Sequence, residues 1–546
     1  MKLVKVSIDG RAVTVPEGST VLNAARTLGI EIPTLCHRDG LPHYTSCMVC
    51  AVRDLASGRW IPACSQPVAD GMEIEASSED VHRARRHILE LLLSEHLGDC
   101  EAPCRRACPA SLRIPEMFRR ARESRWDEAA RLVREDLILP VVLGWVCPAP
   151  CERTCRRAAH DRALAIRELH RRLGSFSDTS AEPTSQWPPL IGPTVAVIGG
   201  GPAGISAAVA LRRRGYAVRV FERSARLGGR LWESPAAANP EFARAFAAEL
   251  QPYVGVEIEW HLNTLIETAE ELHRIRSGHA ATVLALGSIE PEQSRAWGLA
   301  RGARGLTVDL ATRQTNLPGV FAAGGVVQPG KIAVRSIADG QRVAAAVAGY
   351  LRTGHAAVWA SRFDSRIGRL EPGEVQQWVP DGGPDLGAFP GEMRSERLDA
   401  ATIAEAARCF GCDCRKAATC RLRRYADRYG ADAHRFESPT RPAVVLRRDH
   451  PKVVYEPGKC IRCGICVRIA VAAGEPLGMT FQGRGYSEQV APSFNNGLEK
   501  GLGRVWRECV EACPTAALAF REEWDPMGPD HLEREQPSEH DPYPRG

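Results

Sequence analysis

The nineteen cysteines constrain this chain more than any other feature, because they are not scattered. They group as Cys36, Cys47, Cys50 and Cys64; Cys100, Cys104 and Cys108; Cys147, Cys151 and Cys155; Cys409, Cys412, Cys414 and Cys420; and Cys460, Cys463 and Cys466 with Cys509 and Cys513. Such spacings suit thiolates converging on metal centres. The N-terminus, MKLVKVSIDGRAVTV, alternates like a strand and lacks the apolar run of an export signal. The reading is therefore metal-bound thiolates in a reducing cytoplasm, not disulfides.

At 546 residues the chain exceeds a single core, and about three to five domains are expected. With 25% charged residues and a net charge of +5, no basic run points to nucleic acid. No stretch approaches the roughly 18 apolar residues of a membrane span, so no membrane insertion is expected. Residues 2–17 read as a hairpin turning at Asp9-Gly10, followed by a helix from about Thr20, with Ser19 and Thr20 as N-cap candidates. Residues 79–96 have helical periodicity, and 97–173 read as mostly helical. A βαβ pattern begins at Val195.

Cys36, Cys47, Cys50 and Cys64 follow C-x10-C-x2-C-x13-C, which departs from the plant ferredoxin spacing at its first gap. The pattern resembles the N-terminal domain of the large iron–sulfur subunit of complex I and of related hydrogenase and formate dehydrogenase subunits. That resemblance implies a [2Fe–2S] cluster in a β-grasp ferredoxin domain over 1–78. A structural zinc site is the plainer alternative.

The two triplets, in "APCRRACPA…IPEMF" and "LGWVCPAPCERTC", supply six thiolates where two cubanes need eight ligands. With "ALAIRELH" they resemble the N-terminal domain of the glutamate synthase small subunit and of dihydropyrimidine dehydrogenase. The resemblance implies a helical domain over 79–175 with two [4Fe–4S] clusters ligated crosswise. One would use Cys104, Cys155, Cys100 and a residue just upstream, for which His96 stands in. The other would use Cys108, Cys147, Cys151 and His170. A surface side chain is the plainer reading of each histidine. A rival partition with His96, Cys100, Cys104 and Cys108 strands the second triplet and ranks below.

After a linker at 176–193, the segment "VAVIGGGPAGISAAVALRRRGYAVRVFER" carries Gly199, Gly201 and Gly204 between strand and helix, then Glu222. The glycines let a pyrophosphate approach the helix N-terminus, and the acid bonds ribose hydroxyls. "RLGGRL", with Gly229 and Arg230, "TVLALGS" and "TNLPGVFAAGG" resemble FAD-domain segments of glutamate synthase small subunits, which implies FAD over 194–355. Two departures matter. Gly324-Gly325 stands where that family has an acid that meets the ribityl chain. Only 26 residues separate Ser288 from Thr315, too few for the family's NADPH domain, since a βαβ unit takes roughly 30 or more.

Cys409, Cys412, Cys414 and Cys420, within an irregular segment at 356–440, form a fourth metal motif open to [4Fe–4S] or zinc. Over 441–521, Cys460, Cys463 and Cys466 have the ferredoxin spacing C-x2-C-x2-C, with Ala470 at the place of the next cysteine. Cys513, followed by Pro514, completes one [4Fe–4S] set in this ferredoxin-like module, and Cys509 is left over. The charged, Pro-rich stretch 522–546 reads as a disordered tail.

The expected fold is multidomain α/β and α+β: β-grasp ferredoxin domain, helical double-cluster domain, Rossmann-like FAD domain lacking the NADPH domain, and C-terminal ferredoxin-like module. Its cofactors would be one [2Fe–2S], three or four [4Fe–4S], FAD, and zinc if Cys409–Cys420 holds one. The resemblances imply a cytoplasmic electron-transfer subunit of an NAD(P)-linked hydrogenase or formate dehydrogenase. Its partners would be complex I-like FMN/NADH-binding subunits and a separate catalytic subunit, with primary catalysis outside this chain. A self-sufficient NAD(P)H-oxidising flavoenzyme and a cluster scaffold with a vestigial flavin domain are the alternatives.

Overall fold

The computed structural model describes residues 2–176, 187–330, 332–358, 362–379, 398–436 and 441–521. Most of the expected linker, the stretch 380–397 of the irregular segment and the tail lie outside these residues. The described parts fall into two compact units. One comprises Met1–Glu101, Arg362–Pro380 and Cys412–Gly546; the other, Ala102–Ser361 and Asp381–Gly411. The division at Glu101 falls inside the 79–175 segment.

In the first unit, the alternation of LVKVSI puts Val4, Val6 and Ile8 on one buried face of β1 (Leu3–Ile8). Asp9 and Gly10 both have positive φ, the geometry of a tight two-residue hairpin, and β2 (Arg11–Pro16) returns antiparallel. The Asp9 carboxylate accepts from the Ala76 and Ser77 amides at 2.7 and 3.2 Å, tying the turn to the end of the sheet. With β3 (Ala51–Asp54), β4 (Trp60–Pro62) and β5 (Met72–Glu75), the sheet order is β2-β1-β5-β3-β4. The helix Val21–Thr27 covers it, with Thr20 as N-cap in a capping box with Asn23. The helix Glu79–Ser94 buries Arg85, whose Nε donates to the Ala51 carbonyl at 3.1 Å and whose Nη1 donates to the Tyr429 hydroxyl at 3.2 Å.

The second unit begins with short helices around Cys104, Cys108 and the triplet Cys147, Cys151 and Cys155, and continues into a parallel sheet. Its strands are β6 (Val195–Ile198), β7 (Val218–Phe221), β8 (Ile258–His261), β9 (Ala281–Leu284) and β10 (Val320–Ala322), in the order β10-β9-β6-β7-β8. All neighbouring strands run parallel. β6 is buried throughout, as expected of a strand covered on both faces. The helices Pro202–Arg212 and Ala333–Thr353 pack closely where Gly340 removes the Cβ that would stand 2.4 Å from the Ala203 carbonyl. The connection from β9 to β10 holds the short helix Pro291–Ala296 and isolated bridges at Arg301–Leu306 and Gln314–Phe321.

Returning to the first unit, β11 (Val453–Tyr455) pairs with β14 (Leu518–Phe520), and β12 (Met479–Gln482) pairs with β13 (Gln489–Pro492). The helices Ile465–Ala472 and Trp506–Ala512 carry cysteines into the core between them. Among the described residues, no helix is long and apolar enough to cross a membrane.

Candidate functional site

The loops flanking β3 and β4 bury Cys36, Cys47, Cys50 and Cys64. Cys47 and Cys64 donate to Cys36, and Cys64 also bonds Cys50, so the four sulfurs meet one another. Those bonds hold the Cys36 and Cys50 thiols below their usual range and push Cys47 and Cys64 above it. The Arg85 guanidinium helps to lower Cys50. Four converging, buried sulfurs that share negative charge fit a thiolate-held iron pair.

Cys460, Cys463, Cys466 and Cys513 line one cavity with Tyr455, Val490 and Leu518. Burial pushes Cys460 up to about 11 and raises Cys466, on which Cys463, Cys460, Cys509 and Cys513 then act. The expected ligands are thus brought together. Cys509, assigned no role by spacing, lines the same cavity, and its sulfur faces the Cys466 carbonyl at 3.8 Å. Arg468 was invisible to motif reading. Its Nη2 donates to the carbonyl of Cys36 at 2.7 Å and to that of Cys463 at 3.3 Å.

Cys100, Cys412, Cys414 and Cys420 also belong to the first unit, together with His96. His96 Nδ1 is buried without a hydrogen-bond partner, and burial, aided by Lys459, lowers its pKa to about 4. Lys459 is itself buried and donates to Glu456 at 2.7 Å, an acid that Arg415 also meets at 3.4 Å. This charge network adjoins two cysteine motifs, through Lys459, the residue before Cys460, and through Arg415, the residue after Cys414.

In the second unit, Cys108, Cys147 and Cys151 are buried in one core. Burial raises Cys151, and the charges of Cys108 and Cys147 raise it further. His170 is buried, with Nδ1 3.1 Å from the Pro140 carbonyl. Burial lowers its pKa to about 4, and its charged neighbours are Arg167, Glu168 and Arg171. Cys104, Cys155 and Cys409 are half-buried against the same core. His96 and Cys100 thus lie in one unit, Cys104 and Cys155 in the other.

At the nucleotide motif, a Cβ on Gly199 would stand 2.4 Å from the Ala285 carbonyl, and one on Gly204 1.8 Å from the Gly199 carbonyl. Gly201 faces open space at the start of the helix, which leaves room for a pyrophosphate. Glu222 is buried. Its carboxylate accepts from the Gly200 amide at 2.6 Å and from the Ser224 amide at 2.9 Å. Gly229 approaches Gly201, and Arg230 is exposed beside Glu233. Gly324 has φ +74°, and a Cβ on Gly325 would meet the Gly287 carbonyl at 2.5 Å. The missing acid therefore has no room here: backbone fills its place.

Residues 1–79 match the family model of a 2Fe-2S iron-sulfur cluster binding domain. Residues 94–181 match dihydropyrimidine dehydrogenase domain II, 4Fe-4S cluster, and residues 197–242 an NAD(P)-binding Rossmann-like domain. The NADP(+)-dependent formate dehydrogenase subunit beta of Moorella thermoacetica is 32% identical over 34% of this chain and 29% of its own. NADP-reducing hydrogenase subunit HndD of Solidesulfovibrio fructosivorans is 45% identical over 18% of each chain. The glutamate synthase [NADPH] small chain of Mycobacterium tuberculosis (strain ATCC 25618 / H37Rv) is 38% identical over 24% of this chain and 28% of its own. The matched region thus spans less than a third of each of these relatives. This is a multidomain α/β protein of [2Fe–2S], [4Fe–4S] and Rossmann-like nucleotide-binding domains, similar over those domains to formate dehydrogenase, hydrogenase and glutamate synthase subunits.

Proposed function

We propose that this chain is an iron–sulfur flavoprotein that relays electrons inside a multi-subunit NAD(P)-linked oxidoreductase of the hydrogenase or formate dehydrogenase type. The observation that carries the reading is Arg468, one nitrogen of which holds the backbone of a cysteine from each of two motifs, Cys36 and Cys463. Two cluster-binding loops clamped by one side chain suit the passage of single electrons, not separate structural metals. The relay would comprise one [2Fe–2S] cluster at Cys36–Cys64, a [4Fe–4S] cluster in a ferredoxin-like module at Cys460–Cys513, and cubanes drawing on the triplets and on Cys409–Cys420.

FAD is the dinucleotide proposed for the Gly199–Gly204 cradle, where it would exchange electron pairs for single electrons. The short β9–β10 connection supports a flavin domain without a nicotinamide domain of its own. Reducing equivalents would then pass to or from complex I-like FMN/NADH-binding subunits, with the primary substrate handled by a further subunit. Anaerobic purification with its partners tests this: the isolated chain should carry about 14 to 18 iron atoms and be reduced by dithionite but not by NAD(P)H. Rapid reduction of the chain alone by NAD(P)H would make it a self-sufficient flavoenzyme instead. The crowding of Gly325 by Gly287 favours a second reading, a cluster scaffold whose flavin domain is vestigial. Loss of all flavin on gel filtration would support that reading.

A further inference from the structure

We propose that Lys416, a residue of the Cys409–Cys420 motif, tunes the [4Fe–4S] site formed by Cys460, Cys463, Cys466 and Cys513. Together with Arg468 it raises that site's reduction potential, which makes the site a collecting point for electrons. The inference deepens the electron-relay reading and rests on it.

The segment that carries Lys416 is docked along the last residues of the helix Trp506–Ala512 and the turn after it. Lys416 Nζ donates to the carbonyls of Val510 at 2.8 Å, Glu511 at 3.4 Å and the ligand Cys513 at 2.9 Å. The Arg421 guanidinium donates to the Ala512 carbonyl at 3.3 Å, and the Leu422 amide to the Pro514 carbonyl at 3.3 Å. The backbone of Lys416 is fixed as well: its carbonyl accepts from the Thr419 amide at 3.0 Å and the Cys420 amide at 2.8 Å. The ammonium is therefore held at Cys513 by the fold, not by a mobile side chain alone.

Arg468 reaches the same site from another side. It donates to the Cys463 carbonyl and the Gly464 carbonyl at 3.3 Å each, and to the carbonyls of Cys36 at 2.7 Å and Pro42 at 2.5 Å. Both cations thus bond backbone carbonyls, and among the described residues neither meets a carboxylate. Two ligands of one set, Cys463 and Cys513, carry a cation on their carbonyls. The acids close in sequence do not cancel these charges. Glu456 pairs with Lys459 at 2.7 Å, Glu508 with Arg38 at 2.9 Å, and Glu511 is exposed. No carboxylate lines the cavity that the four cysteines share. An added electron is a negative charge in a buried place, and a fixed cation nearby favours it more strongly than water would. The Cys36–Cys64 set shares Arg468, whereas Lys416 touches only the ferredoxin-like one.

A helix C-terminus favours a cation in any case, and capping is the plainer role for Lys416. Capping asks for donors and tuning asks for charge, so substitution separates them.

The test is a potentiometric titration followed by EPR on the full chain prepared anaerobically, with this site's signal identified as the one that Cys463→Ser abolishes. Lys416→Gln keeps a donor and removes the charge. It should lower the midpoint by about 60 mV, a tenfold change in the reduced-to-oxidised ratio at fixed potential, with iron content unchanged. Lys416→Arg keeps the charge and should hold the midpoint. Arg468→Gln should lower the midpoints of both sites, and its shift at the ferredoxin-like site should add to that of Lys416→Gln in the double variant. A Lys416→Gln chain that melts earlier with its midpoint in place makes Lys416 a cap only and overturns the proposal. So does an equal shift of the [2Fe–2S] midpoint in that variant, or a midpoint lowered as far by Lys416→Arg, since either marks a general change of structure. A chain whose midpoints move as stated yet passes no electrons would sink the relay reading and leave the tuning standing.

Discussion

The two units bury different things. In the first, cysteines sit among the core residues themselves: Cys50 and Cys64 in the core under the N-terminal sheet, and Cys36, Cys47, Cys420, Cys463 and Cys509 in the larger one. In the second, the sheet β6–β10 packs one face on an aliphatic and aromatic core, and among the described residues thiols reach the other through Cys104, Cys108, Cys147, Cys151, Cys155 and Cys409. A core lined with thiols stabilises poorly by hydrocarbon burial alone, because its sulfurs either stay protonated or repel one another once ionised. A core of Val, Ile, Leu and Phe needs no such help. The first unit should therefore depend on its metal for folding, and the second on its sheet.

The largest expected effect follows directly. Stripping iron from the full chain with an oxidant and a chelator should open the first unit to protease and leave the sheet of the second protected. The metal's share of the first unit's stability is put at about 10 kcal/mol, by analogy with small metal-held domains. Mass spectrometry of the fragments reads the outcome. Equal protection of both units would show that hydrocarbon holds the first one as well.

A pair of glycines probes the second unit. Gly204→Ala puts a methyl 1.8 Å from the Gly199 carbonyl, which should cost about 3 kcal/mol through forced backbone movement. Gly201→Ala meets nothing within 4 Å at a φ of −76° that alanine adopts freely. It should leave the melting temperature unchanged yet weaken flavin retention, because the methyl stands where a pyrophosphate must approach. If both variants melt alike and keep their flavin, the cradle is not the binding site.

Legibility divides along the same line. The hairpin could be read from the alternation of LVKVSI and the Asp9-Gly10 turn, and the nucleotide strand and helix from Gly199 to Glu222, because each is encoded within one short segment. The first cysteine set was legible for the same reason: its four sulfurs come from loops of one small sheet. Arg468, which meets Cys36 across 432 positions, leaves no local trace. Nor does the Lys416–Cys513 contact, since spacing reports which residues one loop can bring together, not which loops the fold makes adjacent. His96 was singled out by its place in H-x3-C, whereas of the buried Lys459–Glu456–Arg415 charges only Lys459 and Arg415 adjoin cysteines and Glu456 has no motif to announce it.

Arg468→Ala sharpens the comparison from the first unit's side. It removes charge-assisted bonds to the Cys36 and Cys463 carbonyls and should cost about 2 kcal/mol. Iron content should hold, while electron exchange between the [2Fe–2S] cluster and its neighbour slows, as freeze-quench EPR would register. Unchanged transfer with an unchanged melting temperature would remove Arg468 from the relay argument.

The smallest effect belongs to the second unit and is one of pH. Both oxygens of Glu249 accept backbone amides at the start of the helix Pro140–Val146, from Val141 at 2.6 Å and Val142 at 2.8 Å. Burial outweighs those bonds and lifts the carboxyl to about 8. A folded-state pKa above the unfolded value means that the folded chain holds the proton longer. The stability it brings is complete below the ordinary carboxyl range and is lost as pH climbs toward 8. The residue is half-buried overall, so solvent screening reduces the effect to about 1 kcal/mol between pH 6 and 8. Glu249→Gln should flatten that slope in the melting of the second unit and leave the first unit's transition, set by metal, where it was. A slope that survives the substitution would place the titrating group elsewhere.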